Sequence, residues 1–139
     1  MSAQSVVTRF AEHSYPVATG PITGGQLVYA APLVGVDSLY VAGALALNVL
    51  GVALTDGNIA ANESATDAFP ANTRVTVGSH GEYLVTYAAA ATVGQLLVAA
   101  AAGAVTPYIP GTSTLDEIVG RCTASTAAGA VGPAYIGAF

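Results

Sequence analysis

Gly25-Gln26-Leu27-Val28 returns as Gly94-Gln95-Leu96-Leu97, an offset of 94 − 25 = 69 positions. The same offset carries Val49-Leu50-Gly51-Val52-Ala53 onto Ile118-Val119-Gly120-Arg121-Cys122 without a gap, and Ala31, Val36 and Tyr40 onto Ala100, Val105 and Ile109. In a chain with 29 alanines and 16 glycines some identities come free, so the weight rests on the Gly-Gln-Leu block and the apolar-apolar-Gly block. Together they read as a duplicated unit, spanning approximately residues 24–87 and 93–139.

Each copy reads as short strands separated by turn residues: 26–30, 33–36, 47–54 and 74–77 in the first, with the second beginning at Gln95. Arg74-Val75-Thr76-Val77 and Tyr83-Leu84-Val85-Thr86-Tyr87 have the β-branched and aromatic content of half-buried strands. Asp56-Gly57, Gly78-Ser79-His80-Gly81, residues 107–111 and Gly132-Pro133 supply turns. Strands this short, with turns every 8 to 12 residues or so, predict an all-β fold, a small sandwich or barrel built from two related β-units. From Gly51 to Val75 is 24 residues and from Gly120 to Ala134 is 14, so the first copy carries about ten extra, placed at residues 58–70 as an exposed loop. Residues 1–23 have no repeat partner and contain Pro16 and Pro21, which predicts an extended N-terminal arm ahead of a single β-rich domain at 24–139.

The chain has 139 residues, enough for one compact core. Only 8% of them are charged, so Thr, Ser, Gly and Ala must cover the outside, a surface with little to repel a neighbouring protein. Three arginines, no lysine and a net charge of −5 exclude the basic patch that nucleic-acid binding needs. The lone Cys122 excludes an intrachain disulfide or thiolate zinc cluster and reads as a small buried hydrophobe. Arg9, Glu12 and His13 interrupt the apolar run that a secretory leader needs, which places synthesis in a cytoplasm. Residues 88–105 are apolar but broken by Thr92, Gly94 and Gln95, so no membrane span is expected there.

The search for catalytic chemistry ends at Ser79-His80. Adjacent residues on a tight turn rarely face each other, so this segment reads as a β-turn with positive-φ glycines and solvated side chains. His13 and His80 lack metal-ligand spacing, and Asp116-Glu117 reads as a pair of solvated turn charges. No nucleophile elbow, phosphate loop or dinucleotide fingerprint occurs, so neither cofactor nor metal is expected. Seven tyrosines, without tryptophan, serve as strand-face packing or as interface contacts.

Ile22-Thr23-Gly24-Gly25-Gln26-Leu27-Val28, the Val49-Leu50-Gly51-Val52-Ala53 block, Ile118-Val119-Gly120 and a closing Ala134-Tyr135-Ile136-Gly137 strand resemble the capsid decoration, or head cement, proteins of tailed bacteriophages. The chain departs from that pattern at Arg121-Cys122 and in the 58–70 insertion. The resemblance implies a non-enzymatic β-rich protein on the outer surface of an expanded phage head, commonly trimeric at local threefold positions. There it would clamp neighbouring major capsid subunits. Within the arm, Ser5, Val6, Val7, Thr8, Arg9 and Phe10 form a β-prone segment expected to add a strand to a capsid edge. The competing expectation is a carbohydrate- or host-surface-binding module that would use Tyr83, Tyr87, Asp56 and Asn58; a small hydrolase built on His80 is a distant third.

Overall fold

The computed structural model describes residues 12–18, 21–33, 35–57 and 74–137. These form ten strands in two five-stranded antiparallel sheets. The first sheet holds β1 (Glu12–Pro16), β2 (Leu27–Leu33), β3 (Val36–Val41), β4 (Gly51–Ala53) and β5 (Arg74–Gly78), in the order β1-β5-β4-β2-β3. The second holds β6 (Gly81–Thr86), β7 (Leu96–Ala99), β8 (Val105–Pro107), β9 (Ile118–Cys122) and β10 (Val131–Ile136), in the order β6-β10-β9-β7-β8. The second order is the first with every strand advanced by five.

The registers agree residue by residue. Leu27 pairs with Val52 and Val28 with Gly51, while Leu96 pairs with Arg121 and Leu97 with Gly120, each pair displaced by 69. Ala53 pairs with Val77 and Cys122 with Ala134, so the two connections measure 77 − 53 = 24 and 134 − 122 = 12 residues. The difference fixes the first unit's insertion at 12 residues; the 58–70 stretch in which it falls lies outside the described residues.

Each sheet curls until its edges meet. Val17 makes a parallel bridge with Leu39, and Ala18 N–H donates to the Leu39 carbonyl at 2.9 Å. In the second sheet Tyr87 bridges Val105, and Ala88 N–H donates to its carbonyl at 2.8 Å. Curling encloses a separate core in each sheet. Val17, Ile22, Val28, Leu39, Ala53, Val75 and Val77 fill the first. Tyr87, Leu97, Val105, Cys122 and Ala134 fill the second, which extends to Leu27, Ala42 and Val52 and so joins the sheets. Fully burying Leu27 at that junction is worth about 1.5–3 kcal/mol.

Two glycines explain the apolar-apolar-Gly blocks. A Cβ on Gly51 would collide with the Gly78 carbonyl, and one on Gly120 with the Tyr135 carbonyl, so in both sheets the fourth strand lies too close to the fifth for a side chain. The Gly-Gln-Leu blocks are explained likewise. Gly25 and Gly94 adopt φ of 96° and 93°, and the Gln26 and Gln95 carboxamide oxygens accept from Thr23 N–H at 2.8 Å and Thr92 N–H at 2.7 Å. A left-handed glycine followed by a side chain that caps the turn is a conformation the sequence must encode locally.

Several expectations are corrected. Residues 12–16, expected within the arm, are a strand: they pair with β5 along their whole length, from Glu12 opposite Gly78 to Pro16 opposite Arg74. Pro16 ends an edge strand, where a missing N–H costs no ladder bond. Gly132-Pro133 lies inside β10 rather than at a turn; β9 pairs only with Ala134–Ile136, which leaves Pro133 locally at an edge. In place of a 33–36 strand, Leu33 ends β2 and pairs with Val36 at the start of β3, and only Gly51–Ala53 of the 47–54 stretch is strand. In the 78–81 turn, which links the two sheets, Gly81 alone has positive φ, at 131°; Gly78 is small because the Tyr83 ring lies against it. The apolar 88–105 stretch holds β7 and a 3₁₀ turn at Ala101–Gly103, and no helix among the described residues is long and apolar enough to cross a membrane.

Candidate functional site

A cleft of about 400 Å³ opens where the two sheets meet. One wall is the irregular segment leading into β4, with Ala46, Leu47, Val49 and Leu50. The other is the 3₁₀ turn at Leu115–Glu117 running into β9, with Leu115, Asp116, Ile118 and Val119. These walls occupy the same places in the two units, 69 positions apart. The ends are also matched: Ser79 and His80 follow β5, and Ile136 and Gly137 end and follow β10, at the 57-position offset of those strands. Corresponding segments of the two sheets therefore enclose the cleft. Its rims carry exposed apolar side chains, Leu47 at 68% and Leu115 at 71% exposure.

Glu117 is not the solvated charge expected of it. It is buried, and its carboxylate accepts from Thr114 N–H at 2.5 Å and from the Thr114 hydroxyl at 3.1 Å. This reciprocal cap fixes the turn that forms one wall, and Thr114-Leu115-Asp116-Glu117 carries the Thr-x-x-Glu signal that could have announced it. Asp116, beside it, is exposed on the cleft wall. A second hollow of about 500 Å³ lies between Gly24, Gly25, Val52, Ala53 and Leu54 and the outward side of β6, with Leu84 and Val131 exposed at its margin.

Ser79 and His80 sit on the first cleft's rim with Ser79 Oγ 3.3 Å from His80 Nδ1. No described carboxylate hydrogen-bonds His80, so the orienting third group of a nucleophile–base couple is not in place. Among the described residues no three His, Cys, Asp or Glu side chains group as a metal site would require. The residues expected of a glycan site do not converge. Tyr87 is fully buried and donates its hydroxyl to the Pro133 carbonyl at 2.7 Å, and burial, with the neighbouring Cys122 thiol, pushes its phenol well above the ordinary range. Tyr83 is half-buried and donates to the His80 carbonyl at 2.6 Å, Asp56 accepts from Gly24 N–H at 2.7 Å, and Asn58 lies outside the described residues. The physical reason is periodicity: 83, 85 and 87 share the inward side of one strand. Cys122 is buried, as expected of a small hydrophobe. Ser5, Val6, Val7, Thr8, Arg9 and Phe10 lie outside the described residues.

The fold is shared with the N base of the head fiber gp8.5 of bacteriophage phi29. A crystal structure of that protein is similar with a TM-score of 0.66 at 13% identity, over 90% of this chain and 92% of that one. No curated protein matches the chain. The family described as "Structural cement protein (E217 gp24/Pam3 gp6)" matches residues 1–137, through both sheets and the segment before them, and the chain belongs to this phage structural cement family.

Proposed function

We propose that the protein docks on the outer surface of an expanded phage head and clamps neighbouring major capsid subunits, with no catalytic step. The observation that carries this reading is membership of the structural cement family along nearly the whole chain. The surface supports it. With 8% charged residues, and with Leu47, Leu84, Leu115 and Val131 exposed, the protein offers large neutral contact areas. The matched strand orders and registers support descent of the two sheets from one duplicated unit. The arm, now limited to residues 1–11, pairs Ser5, Val6, Val7, Thr8, Arg9 and Phe10 with a capsid edge strand, and three copies gather at each local threefold position. Synthesis is in the host cytoplasm, and neither nucleic acid nor membrane is a partner.

Binding of the purified chain to emptied, expanded heads, followed by co-sedimentation, tests the reading. In a second assay, DNA-filled heads carrying the protein should release DNA at a higher temperature than bare filled heads, because a ligand of the assembled shell stabilises it by mass action. Equal release temperatures at saturating protein would refute it.

A further inference from the structure

We infer that the cleft between the two sheets is a binding site for the chain's own N-terminal segment, residues 6–10, which it holds in the free protein before any docking. This goes beyond the proposed function and stands whether or not the arm touches a capsid. Four observations converge on it.

The first is where the chain leaves the described fold. Eleven residues precede Glu12, which pairs with Gly78, and the next two residues after Gly78 are Ser79 and His80 on the cleft rim. At about 3.3–3.6 Å per extended residue, Phe10 is within roughly 7 Å of Glu12 and Val7 within roughly 18 Å. The second is size and chemistry. Val6, Val7 and Phe10 are apolar and can meet Leu47, Val49, Leu115 and Ile118, while Ser79, His80 and backbone groups give the rest of the cleft a polar lining for the segment's main chain. A cavity of about 150 Å³ accepts a benzene ring, so one of about 400 Å³ has room for the Phe10 ring and a valine beside it. The third is charge. Asp116 is exposed on the wall, and the two described arginines are engaged elsewhere, Arg74 with Ser14 and Arg121 with the Gly94 carbonyl. Arg9, between the apolar residues of the segment, is the remaining arginine of the chain. The fourth is backbone capacity. Leu47, Asn48 and Val49 make no backbone hydrogen bond to the described residues, while Leu50 N–H donates to the Val28 carbonyl at 2.8 Å. Of these, Leu47 and Val49 line the cleft, where their open N–H and C=O groups can bond an added segment.

Disulfide trapping in the full-length protein tests this without a capsid. The only native thiol, Cys122, is buried and does not compete. In a Val7→Cys, Leu47→Cys variant, mild oxidation should give an intrachain cross-link at a yield roughly tenfold above that of a Val7→Cys, Val93→Cys control. Both positions on the fold are exposed, but only the first lines the cleft, and the bond forms only where Cα atoms approach within about 7 Å. Adding Asp116→Arg to the trapping pair should lower the yield several-fold, and amides of Leu47 and Val49 should lose hydrogen-exchange protection in Phe10→Asp. Equal yields at 47 and 93, or cross-links at 47 only between chains, would overturn the inference. Either result leaves head binding to be judged by co-sedimentation alone.

Discussion

The β2–β3 hairpin and the β7–β8 segment occupy the same position in two sheets of identical order, yet they are built differently. The first has strands of seven and six residues paired from Val28–Val41 out to Leu33–Val36, with Tyr29 and Tyr40 stacked at 5.1 Å. The second has strands of four and three residues, three pairs, and a 3₁₀ turn between them. The short version holds the sheets together. Gly103 N–H donates to the Ala42 carbonyl at 3.0 Å, Leu45 N–H to the Ala99 carbonyl at 2.9 Å, and Gln26 Nε2 to the Ala102 carbonyl at 3.0 Å. Where one copy projects a hairpin, the other is trimmed to let its neighbour dock. The difference shows that the two sheets share strand order and glycine contacts, while their connections differ according to what lies beside them.

The largest expected effect tests what the units hold in common. Gly51→Val and Gly120→Val should each destabilise by about 3 kcal/mol or more, because a side chain meets a backbone carbonyl that cannot move without breaking the ladder. Thermal melting of the two variants should give similar losses; a tolerated valine in one sheet alone would break the equivalence at its centre. The next effect separates the units. Gly103→Ala places a Cβ 2.8 Å from Gln26 Cβ at φ 72°, and should cost about 3 kcal/mol. Gly35→Ala, at the hairpin tip with φ 79° and nothing within 4 Å, should cost only about 1–2 kcal/mol, the left-handed penalty alone. Denaturant midpoints would check the ranking, and equal costs would mean that the second connection does not bind the sheets. Tyr40→Ser should remove a stacking contribution of about 1 kcal/mol from the long hairpin while leaving the second sheet's amide-exchange protection unchanged.

The smallest effect concerns the closing bridges. Tyr87 holds its proton more tightly in the folded state than in the unfolded chain, so its contribution is intact below the ordinary tyrosine pKa of about 10 and is lost as pH rises above it. Val17 stands at the corresponding bridge of the first sheet and cannot ionise. Tyr87→Phe should lose about 1 kcal/mol at neutral pH with the bond to Pro133 and show a shallower decline in melting temperature above pH 10. An unchanged alkaline decline would show that this phenol is not its source.

The repeat was legible because both of its blocks encode local backbone demands. Gly25 and Gly94 need positive φ, and Gly51 and Gly120 need the absence of a side chain, so each block requires glycine at a fixed place. The first strand was not legible. Pro16 and Pro21 read as barriers to pairing, and only the tertiary fact that β1 is an edge makes Pro16 harmless. Sliding the sequence at a single offset also hid the correspondence of β1 with β6. That pairing runs at 70 rather than 69, as Glu12 opposite Gly78 and Glu82 opposite Tyr135 show. The cleft was illegible for a related reason. Leu47 and Val49 fall in the expected 47–54 strand and Ile118 in the matching block, and only the packing of one sheet against the other turns them into its walls.

Both described arginines donate to neutral oxygens, Arg74 to the Ser14 hydroxyl and carbonyl and Arg121 to the Gly94 carbonyl. Apolar burial and neutral hydrogen bonds are not attenuated by mobile ions as exposed ion pairs are, whose range contracts from about 30 Å at 10 mM salt to about 3 Å at 1 M. What these two arginines add to the fold should therefore change little between dilute buffer and brine.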